Sequence, residues 1–207
     1  EGGYDKSRLI NFSDAVFSIA LTILVLDIDI PNWTAFREFS TGELLSQRIP
    51  SFIGFVVSFF VSIIYWISHL RAFKYVKVVD NKVLWLNSMF LFFVVLLPFS
   101  TGFYVQGFDY SAPFLVYCLN LMGIGMFDIF LTRQIFSHPE NQDAKTKLIG
   151  KWNTAVAING TSVWILAALL TSFVPVIARY LFILIFVLQI FINKYFKRKL
   201  MKLNEDV

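Results

Sequence analysis

The side chains that could do chemistry in this sequence are few, and most lie inside long apolar stretches. Asp14, His69 and Asp128 are the ionisable residues within these stretches, and Asn87 and Asn120 are amides. A titratable side chain at membrane depth is costly, so it usually pairs with another polar group or serves a function. A carboxylate and an imidazole together can hold a cation, relay a proton or bond neighbouring helices to one another.

Four polar residues of different stretches are predicted to meet at one depth. Trp66 and His69 lie on one face of the second stretch because they are three residues apart. Asp14 and Asn87 fall in the half of their own helices near the same membrane surface. Interhelical hydrogen bonding and a proton or ion site both fit this group. Asp128 has no evident partner except Arg133, one turn further on, and we expect it to join neighbouring helices.

The first apolar stretch has two sides when it is drawn as a helix at 100° per residue. One side carries polar residues, and the other carries an aliphatic stripe with small residues beside it. The polar side comprises Asn11, Asp14 and Ser18, and the stripe comprises Ala15, Ile19, Thr22, Ile23 and Leu26. Such a stripe is more often a plain packing face than a functional surface.

Motifs of soluble enzyme chemistry are missing from the sequence. It contains no GxxxxGK[ST] phosphate loop, no HExxH zinc motif and no GxSxG nucleophile elbow. One cysteine and two histidines leave little for catalysis or for a metal site. We therefore expect no enzyme activity, no cofactor and no resident metal. A TVGYG-type carbonyl filter is also missing, which excludes the usual potassium-channel selectivity route.

The elements that must position these residues are membrane-spanning helices. Of the 207 residues, 57% are hydrophobic and only 15% are charged, against about 25% charged in a typical soluble domain. A span needs about 20 mostly apolar residues. We predict an all-α integral membrane protein, a single domain over residues 1–207 with six spans, at 8–28, 49–70, 83–104, 113–134, 152–173 and 176–195.

The basic residues predict which way the spans run. Fifteen of the eighteen Lys and Arg residues fall on one set of connections, and only Arg37, Arg48 and Arg179 fall on the other. The basic set marks the cytoplasmic side, so both termini are predicted to be cytoplasmic. The net charge of +4 then reflects loops that face anionic lipid rather than a nucleic-acid site.

The first helix carries a recognisable motif, Arg8-x-x-x-Phe12-Ser13-Asp14, followed by the aliphatic stripe. It resembles the signature of the transmembrane protein 175 family, cation channels of endolysosomes and prokaryotes. The later segments Trp66-Ile-Ser-His69, Leu84-Trp85-Leu-Asn87 and Leu97-Pro98-Phe99-Ser100-Thr101 are similar to the family's pattern. The likeness covers roughly the first hundred residues.

The resemblance implies a prokaryotic, single-repeat member that assembles as a homotetramer in the cell membrane. The first helix of each subunit would line the pore, with its constriction at Ile19, Ile23 and Leu26. Thr22 matches a position where some members place a hydroxyl ring, so a potassium ion would pass close to it. The remaining motif residues would form a scaffold behind the pore, namely Arg8, Ser13, Asp14, Trp66, His69 and Asn87.

The function expected from these observations is passive transport of potassium, with other monovalent cations possible and membrane lipid as the surroundings. Two alternatives stay open. A secondary transporter is disfavoured because the spans look largely unbroken, with Pro98 and Pro113 near helix ends. A proton-conducting channel could use Asp14 and His69.

Overall fold

The computed structural model describes residues 4–28 and 30–205, and it is helical almost throughout. Ten α-helices are described in these ranges: α1 Lys6–Ile23, α2 Ala35–Glu38, α3 Thr41–Gln47, α4 Ile49–Phe73, α5 Asn81–Val95, α6 Leu97–Gln106, α7 Ser111–Phe136, α8 Ala144–Leu170, α9 Pro175–Tyr180 and α10 Phe182–Glu205. A 3₁₀ turn, Leu24–Asp27, extends α1.

Five stretches of the described residues are long and apolar enough to cross a membrane. They are Lys6–Leu26, Ile49–Phe73, Asn81–Gln106, Ser111–Phe136 and Ala144–Leu170, and they correspond to the first five predicted spans. The predicted sixth span, 176–195, is divided between α9 and α10 around Leu181. The second half of α10 carries a run of lysines and an arginine. The presence of a sixth span therefore stays a prediction.

The third span is interrupted, which the sequence analysis did not expect. Helix α5 ends at Val95 and α6 begins at Leu97, with Pro98 in its first turn. Proline lacks the N–H that would continue the ladder, and its ring collides with the carbonyl of the preceding turn. Pro98 thus lies near a helix end, as predicted, but that end is the start of α6 inside the third span, so the span is not the unbroken helix that was expected.

Helix α7 lies at the centre of the bundle. It packs against α4, α5, α6 and α8, whereas α1 packs against α4, α5 and α6, and α10 packs against α8. Glycines allow the close approach of the neighbours of α7. A Cβ atom at Gly123 would collide with the ring of Phe93, and one at Gly125 would collide with Thr161. Helices α1 and α10 are thus left at the two edges, with faces that the other described residues leave exposed.

Aspartates cap three of the spanning helices at the predicted cytoplasmic surface. Asp5, Asp80 and Asp143 accept hydrogen bonds from backbone N–H groups of the first turns of α1, α5 and α8. Such caps satisfy donors that a helix start leaves open. The bond from the Thr146 N–H also stabilises the carboxylate of Asp143 and lowers its pKa.

The start of α1 is tied to the connection between α4 and α5. The Tyr4 N–H donates to the Val79 carbonyl at 3.0 Å, and the Tyr4 hydroxyl donates to Asn81 Oδ1 at 3.0 Å. Lys6 Nζ donates to the carbonyl of Val76 at 2.9 Å. These bonds fix the start of the first helix to its neighbours.

Candidate functional site

Helix α1 has one buried face and one open face. The buried face packs Leu9, Phe17 and Ala20 into the bundle, and Leu24 of the following 3₁₀ turn is fully buried as well. Their spacing of three, four and eight residues is that of a single helical face. What the open face contacts is therefore set by molecules outside this one chain.

The predicted constriction residues all lie on the open face. Ile19, Ile23 and Leu26 are 59%, 42% and 75% exposed, and at 100° per residue they fall within about 60° of one another. Thr22 is also exposed and borders them. Its hydroxyl donates to the carbonyl of Ile19 at 2.8 Å, so the lone pairs of the oxygen remain free.

Two polar residues that the helical wheel placed beside Asp14 lie on the open side instead. Asn11 and Ser18 are exposed, whereas Asp14 is half-buried. The Ser18 hydroxyl donates to the carbonyl of Asp14 at 2.8 Å, which satisfies it within its own helix. The predicted polar side is thus divided, because only the part that includes Asp14 faces neighbouring helices.

A buried hydrogen-bond chain joins the first, second and third spans. His69 Nε2 lies 2.8 Å from Asn87 Oδ1, and Asn87 Nδ2 donates to Ser13 Oγ at 3.1 Å. Ser13 in turn donates to the carbonyl of Leu9 at 2.9 Å. Since the amide oxygen of Asn87 can only accept, His69 donates from Nε2. Three predicted scaffold residues are thus brought together.

Aromatic rings enclose the imidazole in this chain. His69 stacks on Phe73 with ring centroids 4.0 Å apart and on Phe90 at 5.6 Å. Its Nδ1 atom is buried and has no hydrogen-bond partner among residues 4–28 and 30–205. The side chain thus packs between apolar rings and bonds to one amide.

Asp14 and Trp66 form a separate pair. The indole Nε1 of Trp66 donates to Asp14 Oδ1 at 2.9 Å. Among the described residues, no hydrogen bond joins this pair to the hydrogen-bonded group of His69, Asn87 and Ser13. The side chain of Arg8 is exposed and lies on the open side of α1, so the structure does not bring it to the other scaffold residues.

Asp128 finds its partner on the second span rather than on its own helix. It is buried and accepts a hydrogen bond from Ser68 Oγ at 3.1 Å. Arg133, the partner considered from the sequence, is exposed. The bond joins α4 to α7, which agrees with the expected role in helix contacts.

A second buried polar cluster, in the other half of the bundle, was missed by the sequence analysis. Thr101 donates to Ser58 Oγ at 2.9 Å, and Ser58 lies 3.0 Å from the Tyr117 hydroxyl. Asn120 Nδ2 donates to Ser100 Oγ at 3.1 Å. Ser58 does share the face of Ser62, Tyr65 and His69 at helical spacing, which is the signal that could have found it.

Comparisons with known proteins give a consistent result. Residues 8–98 match the family model described as the endosomal/lysosomal potassium channel TMEM175. A potassium channel of Chryseobacterium sp. (strain P1-3) is 28% identical over 94% of this chain and 97% of its own length. A potassium channel of Streptomyces collinus is 38% identical, but the match covers only 47% of either chain.

The fold also has a counterpart among solved structures. The crystal structure of a lysosomal potassium-selective channel TMEM175 homolog from Chamaesiphon minutus superposes with a TM-score of 0.77. The match covers 92% of this chain and 97% of that one, at 23% sequence identity. The resemblance noted at the first helix is thus confirmed, and the helical arrangement is similar to that of the solved homolog.

Proposed function

Because this chain is a TMEM175-family protein, we propose that it forms a passive cation channel that favours potassium. It would work as a homotetramer in a prokaryotic cell membrane, with both termini in the cytoplasm and the sixth span supplied by α9 and the first half of α10. The permeant ion is potassium, other monovalent cations can follow it, and no cofactor is needed. Relatives named as potassium channels support this proposal.

The open face of α1 is the observation that carries the proposal. Asn11, Ser18 and Thr22 are exposed on a helix that is long and apolar enough on average to cross a membrane. Polar side chains inside spans are costly where they face lipid, and ionisable ones almost always face the bundle interior or a water-filled cavity. This face therefore turns towards other subunits and an aqueous path, and four copies of α1 would surround that path.

The side chains of this face suggest how the path works. Four Ile19 side chains at the axis would form a narrow apolar ring, and such rings close a pore by excluding water. Ile23 and Leu26 would extend the ring over the next turns. The hydroxyl proton of Thr22 is engaged by the Ile19 carbonyl, so four Thr22 oxygens could offer lone pairs to a partly dehydrated potassium ion.

The buried face of α1 suggests a scaffold rather than a conduction route. The hydrogen bonds of Ser13, Asn87 and His69 and the bond from Trp66 to Asp14 tie α1 to α4 and α5. They would hold the pore helix at a set rotation, so that the open face keeps its direction. Arg8 would lie at the cytoplasmic mouth, because its side chain is on the open side.

The geometry disfavours both alternatives. A proton path through His69 would need a partner for Nδ1, and the described residues provide none. A transporter of the broken-helix type places its binding site at the break. At the break of the third span, Val94 and Leu97 are buried apolar residues, and the nearby hydroxyls of Ser100 and Thr101 are already engaged by the carbonyl of Leu97 and by Ser58.

The experiment that tests the proposal is a reversal-potential measurement on the reconstituted protein in a potassium–sodium gradient. Wild type should give a current biased to potassium. Ile19→Asn should raise the current about tenfold, the effect of a 1.4 kcal/mol lower barrier, because a polar ring holds water. Leu169→Asn, exposed on α8, is the matched control and should change nothing. No current from assembled wild type would reject the channel.

A further inference from the structure

A cavity separate from the open face of α1 lies between the outer ends of α4, α7, α8 and α9. Its volume is about 280 Å³, close to the roughly 300 Å³ of the smallest ligand pockets. The walls are buried aromatic residues, Tyr104, Phe114, Tyr117 and Trp164, and the mouth is lined by the exposed apolar residues Ile53 and Val176. None of the described residues of α1 lines it.

Two residues that line this cavity each carry a buried hydrogen-bond donor for which the described residues provide no acceptor. Arg179 donates from Nη2 to the carbonyl of Phe108 and lies 4.4 Å above the Phe108 ring. Its Nε atom is buried and finds no acceptor among residues 4–28 and 30–205. The indole Nε1 of Trp164, a residue only 2% exposed, has none in the same part of the chain. A buried donor without a partner is energetically unfavourable.

These donors lie at two depths. Trp164 is six residues before the end of α8 at Leu170, which corresponds to about 9 Å along the helix. Arg179 lies in α9, beyond that end of α8. If these helix ends reach the outer surface, as the proposed topology has it, the guanidinium lies at the level of lipid head groups. The apolar cavity then extends into the level of the acyl chains.

We propose that the cavity binds one anionic phospholipid of the outer leaflet. The phosphate accepts hydrogen bonds from Arg179, because the N–H groups of a guanidinium match the geometry of phosphate oxygens. The negative charge of the phosphate also neutralises the positive charge of Arg179. One acyl chain enters between Ile53 and Val176 and packs against the aromatic walls. An ester carbonyl accepts the bond from Trp164 Nε1. A phospholipid fits better than a free fatty acid since it brings acceptors at both depths.

Native mass spectrometry of the purified protein tests the charged end of this site. Wild type should retain one phospholipid per subunit, and Arg179→Gln should reduce its occupancy at least fivefold. Arg37→Gln is the matched control, since Arg37 is an exposed outer arginine that does not line the cavity. Equal phospholipid occupancy in the three proteins would overturn the proposal.

A second variant tests the apolar end without touching any charge. Val57→Phe fills the cavity, whereas Val56→Phe adds the same ring to the adjacent residue, which is 36% exposed and lies outside the cavity. Added phosphatidylglycerol should raise the Tm of wild type and Val56→Phe, and it should not raise that of Val57→Phe. Phosphatidylcholine should have a smaller effect on wild type. Stabilisation by oleate alone, or the same response of both variants to phosphatidylglycerol, would contradict the proposal.

Discussion

The two faces of the first helix differ in where their polar groups find partners. On the buried face, Ser13 and Asp14 are bonded to side chains of α4 and α5. On the open face, the hydroxyls of Ser18 and Thr22 bond only to carbonyls of their own helix. Polar residues with partners on other helices fix the fold, whereas those without such partners are available for something outside the chain. On this contrast we base the proposal of a scaffold face and a pore face within the 18 residues of α1.

Cross-linking should give the largest difference between the faces. If four open faces meet, Ile19→Cys places thiols of neighbouring subunits close enough for a disulfide, which needs a Cα separation of roughly 4.4–6.8 Å. Oxidation should then give covalent dimers on a denaturing gel. Leu169→Cys should stay monomeric, and the native thiol of Cys118 is buried. Monomers only from Ile19→Cys would place this face against lipid.

Replacing one asparagine on each face should affect stability very differently. Asn87→Leu removes the acceptor of His69 Nε2 and the donor to Ser13 Oγ. The free energy of unfolding should therefore fall by about 2 kcal/mol. Asn11→Leu changes an exposed amide and should stay within about 0.5 kcal/mol. Thermal unfolding in detergent measures both. A similar loss in the two variants would mean that the buried chain does not stabilise the fold.

The pair of Asp14 and Trp66 should show a measurable coupling. A double-mutant cycle with Asp14→Ala and Trp66→Phe removes the same hydrogen bond from each side, and we expect a coupling of about 0.6–1.7 kcal/mol in unfolding free energy. Asp14→Ala should harm assembly or gating more than ion preference. An assembled Asp14→Ala channel with altered ion preference would instead place this carboxylate at the pore.

The smallest expected effect concerns Thr22. Removing its hydroxyl takes away oxygen atoms that could replace water around the ion, so Thr22→Ala should lower the potassium-to-sodium permeability ratio roughly twofold, or about 0.4 kcal/mol. Ser88→Ala is the matched control, because Ser88 also donates to a carbonyl of its own helix but lies on α5. An unchanged ratio in Thr22→Ala would remove this residue from the selectivity proposal.

Hydropathy was enough to predict the first five spans because a run of about 20 apolar residues has few other solutions. It could not locate the break at Leu96, since Pro98 is compatible with a bent continuous helix as well as with two helices. The last span was harder to predict than the first five. The apolar run before Lys194 is short for one helix, and the structure divides it at Leu181.

The candidate site was partly predictable from helical spacing and from the family resemblance. The positions of Trp66, His69 and Asn87 along their spans predicted one common depth. In the structure Trp66 is hydrogen-bonded to Asp14, and His69 is hydrogen-bonded to Asn87. Spacing alone could not separate Asn11 and Ser18 from Asp14, because all three lie within one wide arc. Which part of that arc is buried depends on the angle at which α1 packs, and only the assembled bundle sets that angle.

The attachment of Tyr4 and Lys6 to the connection between α4 and α5 has a mechanical consequence. Helix α1 is about 27 Å long, at 1.5 Å for each of its 18 residues, and its first turn cannot tilt unless residues 76–81 move with it. A movement of that connection would therefore move the start of the first helix. A molecule that binds residues 76–81 would act on the helix from one end, without contacting the rest of α1.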